Sequence, residues 1–114
     1  MPYIEAKLSI KLDDNQKNEL SKKLSDAVSV YFSKPKSYIM TNIEDSKSLY
    51  MGDSKAEKGA YITVRSLGSV SKQSCMNATQ SICKTLINDY SLNGSNIYIT
   101  YHPVEFWGWN GSMF

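Results

Sequence analysis

Pro2, directly after Met1, is the residue whose position and type most directly suggest chemistry. A small second residue lets the initiator methionine be trimmed, and the proline then carries a free secondary amine. An α-amino group titrates near ~7.7–8.0 in solution. Burial or a nearby cation lowers that value, and a base poised near neutral pH suits proton abstraction. The plainer reading is that Pro2 starts an edge strand, where a missing N–H costs little. The other reactive side chains are sparse. His102 is the single histidine and has no Cys or His cluster around it, so a transition-metal site is not indicated. Cys75 and Cys83 fall eight residues apart in a helical pattern. That is about 12 Å of helix, too far for a disulfide, and they read as buried thiols in a reducing compartment.

The elements that must position these residues follow from periodicity. Residues 2–10 alternate, with Tyr3, Glu5, Lys7 and Ser9 on one side and Ile4, Ala6, Leu8 and Ile10 on the other. Asp13 and Gln16 match a capping box. From Asn15 to Phe32 the apolar spacing is helical, through Leu20, Leu24, Ala27, Val28 and Tyr31. Lys34-Pro35 stops this helix, and residues 37–44 read as a strand. A brief strand at Leu49-Tyr50-Met51 precedes a turn and loop. Residues 60–67 are the strongest strand pattern. A second helix is predicted over 71–90, capped by Ser71 or Ser74, and a last main strand over 96–101.

Length and composition bound the rest. The chain has 114 residues, 41% hydrophobic and 21% charged, with a net charge of +2. This predicts one folded domain over 1–114 and gives no argument for nucleic-acid or membrane partners. The N-terminus lacks signal-peptide character, so cytoplasmic synthesis is expected, with export by a route needing no signal peptide left open. Asn-x-Ser/Thr triplets at Asn77, Asn93 and Asn110 are then chance matches. Tyr-Ile occurs at positions 3, 38, 61 and 98, each pair flanking a predicted helix. The chain therefore divides into pseudo-repeats of about 2–44 and 60–101 with a tail over 102–114. Two β-α-β units predict an α+β fold: one four-stranded mixed sheet with both helices on one face and parallel pairing within each unit. The uncovered face of such a sheet, expected to alternate apolar residues, implies oligomerisation with the sheets packed inward.

Several features form one ordered pattern along the chain: Met1-Pro2, Lys34-Pro35 before Tyr38-Ile39, Met51-Gly52-Asp53-Ser54, Ser66-Leu67-Gly68, Ile97-Tyr98-Ile99, and the tail Trp109-Asn110-Gly111-Ser112-Met113-Phe114. This pattern resembles the macrophage migration inhibitory factor family of the tautomerase superfamily, essentially end to end. The resemblance implies a homotrimer with pockets between subunits. It also implies cofactor-free, metal-free keto–enol tautomerisation of phenylpyruvate-like aromatic carboxylates, and with it dopachrome isomerisation.

In that frame Pro2 matches the catalytic base and Lys34 the active-site lysine, which would hold a carboxylate or stabilise an enolate oxygen. Leu67 falls where the family has an isoleucine whose backbone faces substrate, with Ser66 beside it. Tyr98 matches a tyrosine from the adjacent subunit, while Tyr38, Trp107, Trp109 and Phe114 fall at the aromatic rim. Thr100 stands in place of the family's usual asparagine, and Arg65 in place of a histidine near the pocket mouth. Gly59 and Ile62 occupy the places of the vertebrate Cys-x-x-Cys pair, so no oxidoreductase activity through that motif is expected. The loop between Tyr101 and Trp109 is shorter than in the vertebrate protein.

The resemblance also raises a second function class, a cytokine-like ligand of a host or cell-surface receptor in which catalysis is vestigial. A nucleic-acid module is disfavoured, because the strands do not interleave basic and aromatic residues.

Overall fold

The computed structural model describes residues 1–114. Its main sheet has four strands: β1 (Pro2–Leu8), β2 (Met40–Glu44), β5 (Ala60–Leu67) and β6 (Ile97–Val104), in the order β2-β1-β5-β6. Pairing is parallel for β1 with β2 and for β5 with β6, and antiparallel for β1 with β5. Helix α1 (Asp14–Phe32) joins the first parallel pair and α2 (Lys72–Tyr90) the second. Two short hairpins complete the fold, β3 (Tyr50–Met51) with β4 (Ser54–Lys55), and β7 (Gly108–Trp109) with β8 (Ser112–Met113). The duplicated β-α-β organisation is thus present, as expected.

One face of the sheet makes the core. Ile4, Ala6 and Leu8 of β1 and Ile62 and Val64 of β5 pack against Leu20, Leu24 and Val28 of α1 and Ile82 and Leu86 of α2. The period-2 alternation in β1 and the 3.6-residue spacing in the helices bring these residues to the same layer. No helix is long and apolar enough to cross a membrane.

Helix ends behave as their sequences suggest. Asp13 Oδ1 accepts from the Gln16 N–H at 2.8 Å, and Gln16 Oε1 accepts from the Asp13 N–H at 2.9 Å. Ser71, not Ser74, caps α2. The C-terminal hairpin turns on Asn110 and Gly111, both at positive φ (50° and 79°). Asn-Gly is the pair that such a tight two-residue turn favours.

Several expectations need correction. The strand predicted over 37–44 begins only at Met40, because Lys36–Tyr38 form a 3₁₀ turn after Pro35. Pro2 does not lie on an edge strand. It opens β1, an inner strand, and being the first residue is what makes its missing N–H tolerable. The last main strand runs on to Val104 through Pro103, which an edge strand permits. The cysteines are half-buried, although burial does push both thiols up.

The sheet face away from the helices is mixed rather than simply apolar. In register across it run Met40, Tyr3, Arg65 and His102, then Asn42, Glu5, Thr63 and Thr100, then Glu44, Lys7, Tyr61 and Tyr98.

Two measurements check this account. Asp13→Ala should lower unfolding stability by about 1 kcal/mol in urea denaturation, the usual worth of an N-cap. Asp45 accepts from the Leu12 N–H at 2.9 Å and pairs with Lys17 at 3.0 Å. These contacts, the backbone bond first, hold its carboxyl at about 2. A carboxyl depressed from about 3.9 in the unfolded chain adds stability above that value and loses it as pH falls toward its folded value. Between about pH 4 and pH 2, Asp45→Asn should therefore flatten part of the fall in thermal midpoint. An unchanged slope would show that the Asp45 contacts do not form.

Candidate active site

Pro2 sits at the wall of an apolar cavity of about 500 Å³. The cavity is built where three segments meet. The start of β1 gives Met1, Pro2 and Tyr3. The 3₁₀ turn and the start of β2 give Ser37, Tyr38, Ile39 and Met40. The entry to the C-terminal hairpin gives Trp107, Gly108 and Trp109. The parallel β1–β2 register sets Tyr3 beside Met40, which joins the first two segments. The third is pinned by aromatic contact. Trp109 meets Tyr38 edge-on at 6.3 Å and packs on Phe114 at 5.8 Å, while the Phe114 N–H donates to the Trp107 carbonyl at 3.1 Å.

Lys34 is brought in by the end of α1. Ser33 adopts the left-handed conformation (φ 53°) and stops the helix. The Lys34 N–H donates to the Ser29 carbonyl at 3.1 Å, and Ser29 Oγ donates back to the Lys34 carbonyl at 2.6 Å. Fixed in this way, Lys34 Nζ donates to the Leu67 carbonyl at 3.2 Å. The Leu67 N–H donates to the Met1 carbonyl at 3.2 Å. Leu67 is therefore the bridge between the lysine and the N-terminus. Burial first, and the Lys34 cation second, hold the Met1 amine below its ordinary value.

The predicted site residues divide into three groups. Pro2, Tyr38, Trp107 and Trp109 line the cavity, and Phe114 backs it through Trp109. Lys34, Ser66 and Leu67 gather around the N-terminus without lining it: Ser66 lies directly across from Pro2, and Leu67 follows it in β5. Arg65, Tyr98 and Thr100 are not brought to the cavity. Arg65 projects from the sheet face opposite Tyr3. Thr100 Oγ1 lies 3.1 Å from Tyr61 Oη and 2.9 Å from His102 Nε2. Tyr98 is exposed on edge strand β6, paired with Tyr61. The chemistry-first reading missed Tyr3, Ser37, Ile39, Met40 and Gly108 as cavity walls. Alternation in β1 marks Tyr3, but the others depend on the 3₁₀ turn and the hairpin entry.

Pro2 thus opens an inner strand of a duplicated β-α-β sheet, and Lys34 is linked to the adjoining Met1 carbonyl by two hydrogen bonds through Leu67. The sequence matches the model for the macrophage migration inhibitory factor (MIF) family over residues 1–114. The chain belongs to the MIF family.

Solved structures agree on the fold. MIF2 of Leishmania major is similar at 26% identity with a TM-score of 0.90, over 100% of this chain and 97% of that one. A MIF homologue from Prochlorococcus marinus is similar at 24% identity with a TM-score of 0.87, over 98% of each chain. Pt0534, solved after inactivation by 2-oxo-3-pentynoate, is 14% identical with a TM-score of 0.84, over 96% of this chain and 93% of that one. A sequence search of curated proteins gives no match.

The Lys34 field has a direct test. In the chain bearing Met1, Lys34→Ala should raise the Met1 amine pKa part-way toward its ordinary value, since removing a cation favours protonation. Titration of the amine by NMR reads this. A value unmoved by the substitution would mean that the cation does not reach the N-terminus.

Proposed function

We propose that this protein is a proline-based keto–enol tautomerase acting on phenylpyruvate-like 2-oxo carboxylates, with dopachrome-type isomerisation as a related activity. The observation that carries this is the placement of Pro2 in the wall of an apolar, aromatic-lined cavity, with Lys34 held beside it through Leu67. Inactivation of the structurally similar Pt0534 by a 2-oxo acid supports the substrate class.

Removal of Met1 is the enabling step. While Met1 is attached, Pro2 nitrogen is a tertiary amide and has no basic lone pair. Trimming frees three groups together. Pro2 becomes a secondary amine. The Leu67 N–H loses the Met1 carbonyl and becomes a donor for a substrate oxygen. The space that Met1 occupies along the cavity opens.

The chemistry then follows. Pro2 takes the proton on the carbon next to the substrate carbonyl, and electrons move onto the carbonyl oxygen. Lys34 and the Leu67 N–H stabilise the negative charge on the enolate or carboxylate. Return of that proton from the Pro2 ammonium to the enolate oxygen gives the enol and restores the neutral amine, and the reverse path regenerates the ketone. Lys34 also favours the neutral amine, which is the form that acts as base. Tyr38, Trp107 and Trp109 suit a phenyl ring, by burial and by edge contact.

The trimer belongs to the same proposal. Arg65, Tyr98 and Thr100 would act on a neighbouring copy's cavity, brought there when the uncovered sheet faces pack inward. The mixed polar and aromatic character of that face suits a specific, hydrogen-bonded interface rather than simple apolar packing.

The experiment is phenylpyruvate turnover by protein with a verified N-terminal proline, beside Pro2→Gly, followed by enol absorbance. Pro2→Gly should lose at least about 100-fold in kcat, the ordinary worth of a positioned base, with oligomeric state unchanged in light scattering. Equal turnover by the variant would remove Pro2 from the mechanism. Lys34→Ala should raise KM more than it lowers kcat, if its main partner is the substrate carboxylate.

A further inference from the structure

Ser66 is the polar group beside Pro2 that the proposed chemistry leaves unused. The residue is 1% exposed, and its Oγ has no hydrogen-bond partner. Buried hydroxyls without partners are destabilising and uncommon in folded proteins. The fold satisfies a comparable group elsewhere: buried Ser25 has Thr41 Oγ1 at 3.1 Å. Packing gives no reason for a hydroxyl here, because the inner face of β5 is otherwise Val64, Ile62 and Ala60.

Its position supplies a reason. Ser66 lies directly opposite Pro2 in the antiparallel β1–β5 pair, and both side chains are on the buried face. The Leu67 N–H bonds to the Met1 carbonyl, so Pro2 and Ser66 form the adjacent, non-hydrogen-bonded pair. Opposed side chains approach most closely at such pairs. In the chain bearing Met1, Pro2 nitrogen has neither a hydrogen to give nor a lone pair to share. The Ser66 hydroxyl can therefore gain no partner from it.

We propose that Ser66 is a positioning residue for the Pro2 amine. Once Met1 is removed the amine carries an N–H, and Ser66 Oγ accepts it. That bond turns the remaining lone pair toward the cavity, where the substrate proton is taken. The inference rests on the proline-base reading given above. On protonation the ammonium keeps the same bond and adds a second N–H. Because the hydroxyl accepts from a cation, it favours the charged form and holds the amine pKa up, against the downward pull of Lys34.

The test is Ser66→Ala in the trimmed protein. The ascending limb of kcat/KM against pH should move to lower pH by about half a unit or more. Turnover should fall several-fold in kcat from lost orientation, with KM within about two-fold of the parent. In the chain bearing Met1 the same variant should leave the thermal midpoint unchanged or raise it, because there it removes an unpartnered polar group. Ser66→Thr, which keeps the acceptor, should restore the parent pH limb. NMR titration of the Pro2 amine in isotope-labelled protein gives the same shift without relying on turnover. Proline-dependent turnover with an unmoved pH limb and an unmoved amine titration would overturn this inference alone. Turnover that survives Pro2→Gly would overturn the underlying mechanism instead.

Discussion

Antiparallel pairing of β1 with β5 is the contact on which the rest of the structure depends. Each β-α-β half has only two main strands, and two strands cannot enclose a core. Joining the halves through their first strands makes one sheet whose inner face both helices can cover. The same register sets Pro2 against Ser66 and carries Leu67 level with Met1. The pairing that completes the core therefore also assembles the site. A one-residue slip would turn every β1 side chain to the other face and would take Pro2 away from Leu67 and Lys34.

The second constraint is the end of α1. Lys34 carries a long, flexible side chain that would ordinarily be spread among rotamers. Here its backbone is held from both sides by Ser29, and Pro35 fixes the exit direction. The ammonium is spent on a backbone carbonyl and not on a carboxylate, although other lysines of this chain pair with acids. A cation satisfied only by a carbonyl retains most of its field. That leaves it able to act on the N-terminal amine.

Much of this was legible in the sequence, for identifiable reasons. The core strands and both helices follow from strong periodicity in segments such as 2–8 and 72–90, and the Asp13–Gln16 box and the Asn110-Gly111 turn are local chemistry. Fold class follows from the duplicated β-α-β pattern, whereas the expectations for Tyr38, Trp107, Trp109 and Lys34 rest on the ordered family pattern rather than on periodicity. What escaped depends on tertiary placement. The 3₁₀ turn at Lys36–Tyr38 has no distinct period, so a strand was expected there. Ile39, Met40 and Gly108 became cavity walls only because the β1–β2 register and the C-terminal hairpin fold over the same end of the sheet. The unpartnered state of Ser66 is likewise invisible until its neighbours are known.

The topology also explains why one chain gathers only part of the expected set. Pro2 opens β1 near the end of the sheet where β5 finishes. Tyr98 lies near the start of β6, beside Tyr61, which in turn sits opposite Lys7. Tyr98 is thus two strands across and several residues along from Pro2, on the face away from the helices. No side-chain rotation closes that separation within a chain whose sheet is rigidly paired. If Tyr98 and Thr100 serve a cavity, it must be another copy's, and the exposed sheet face is the surface that could deliver them. A site divided between chains would make catalysis conditional on assembly. The base and its cation would come from one subunit, and the hydroxyls that discriminate among substrates from the next.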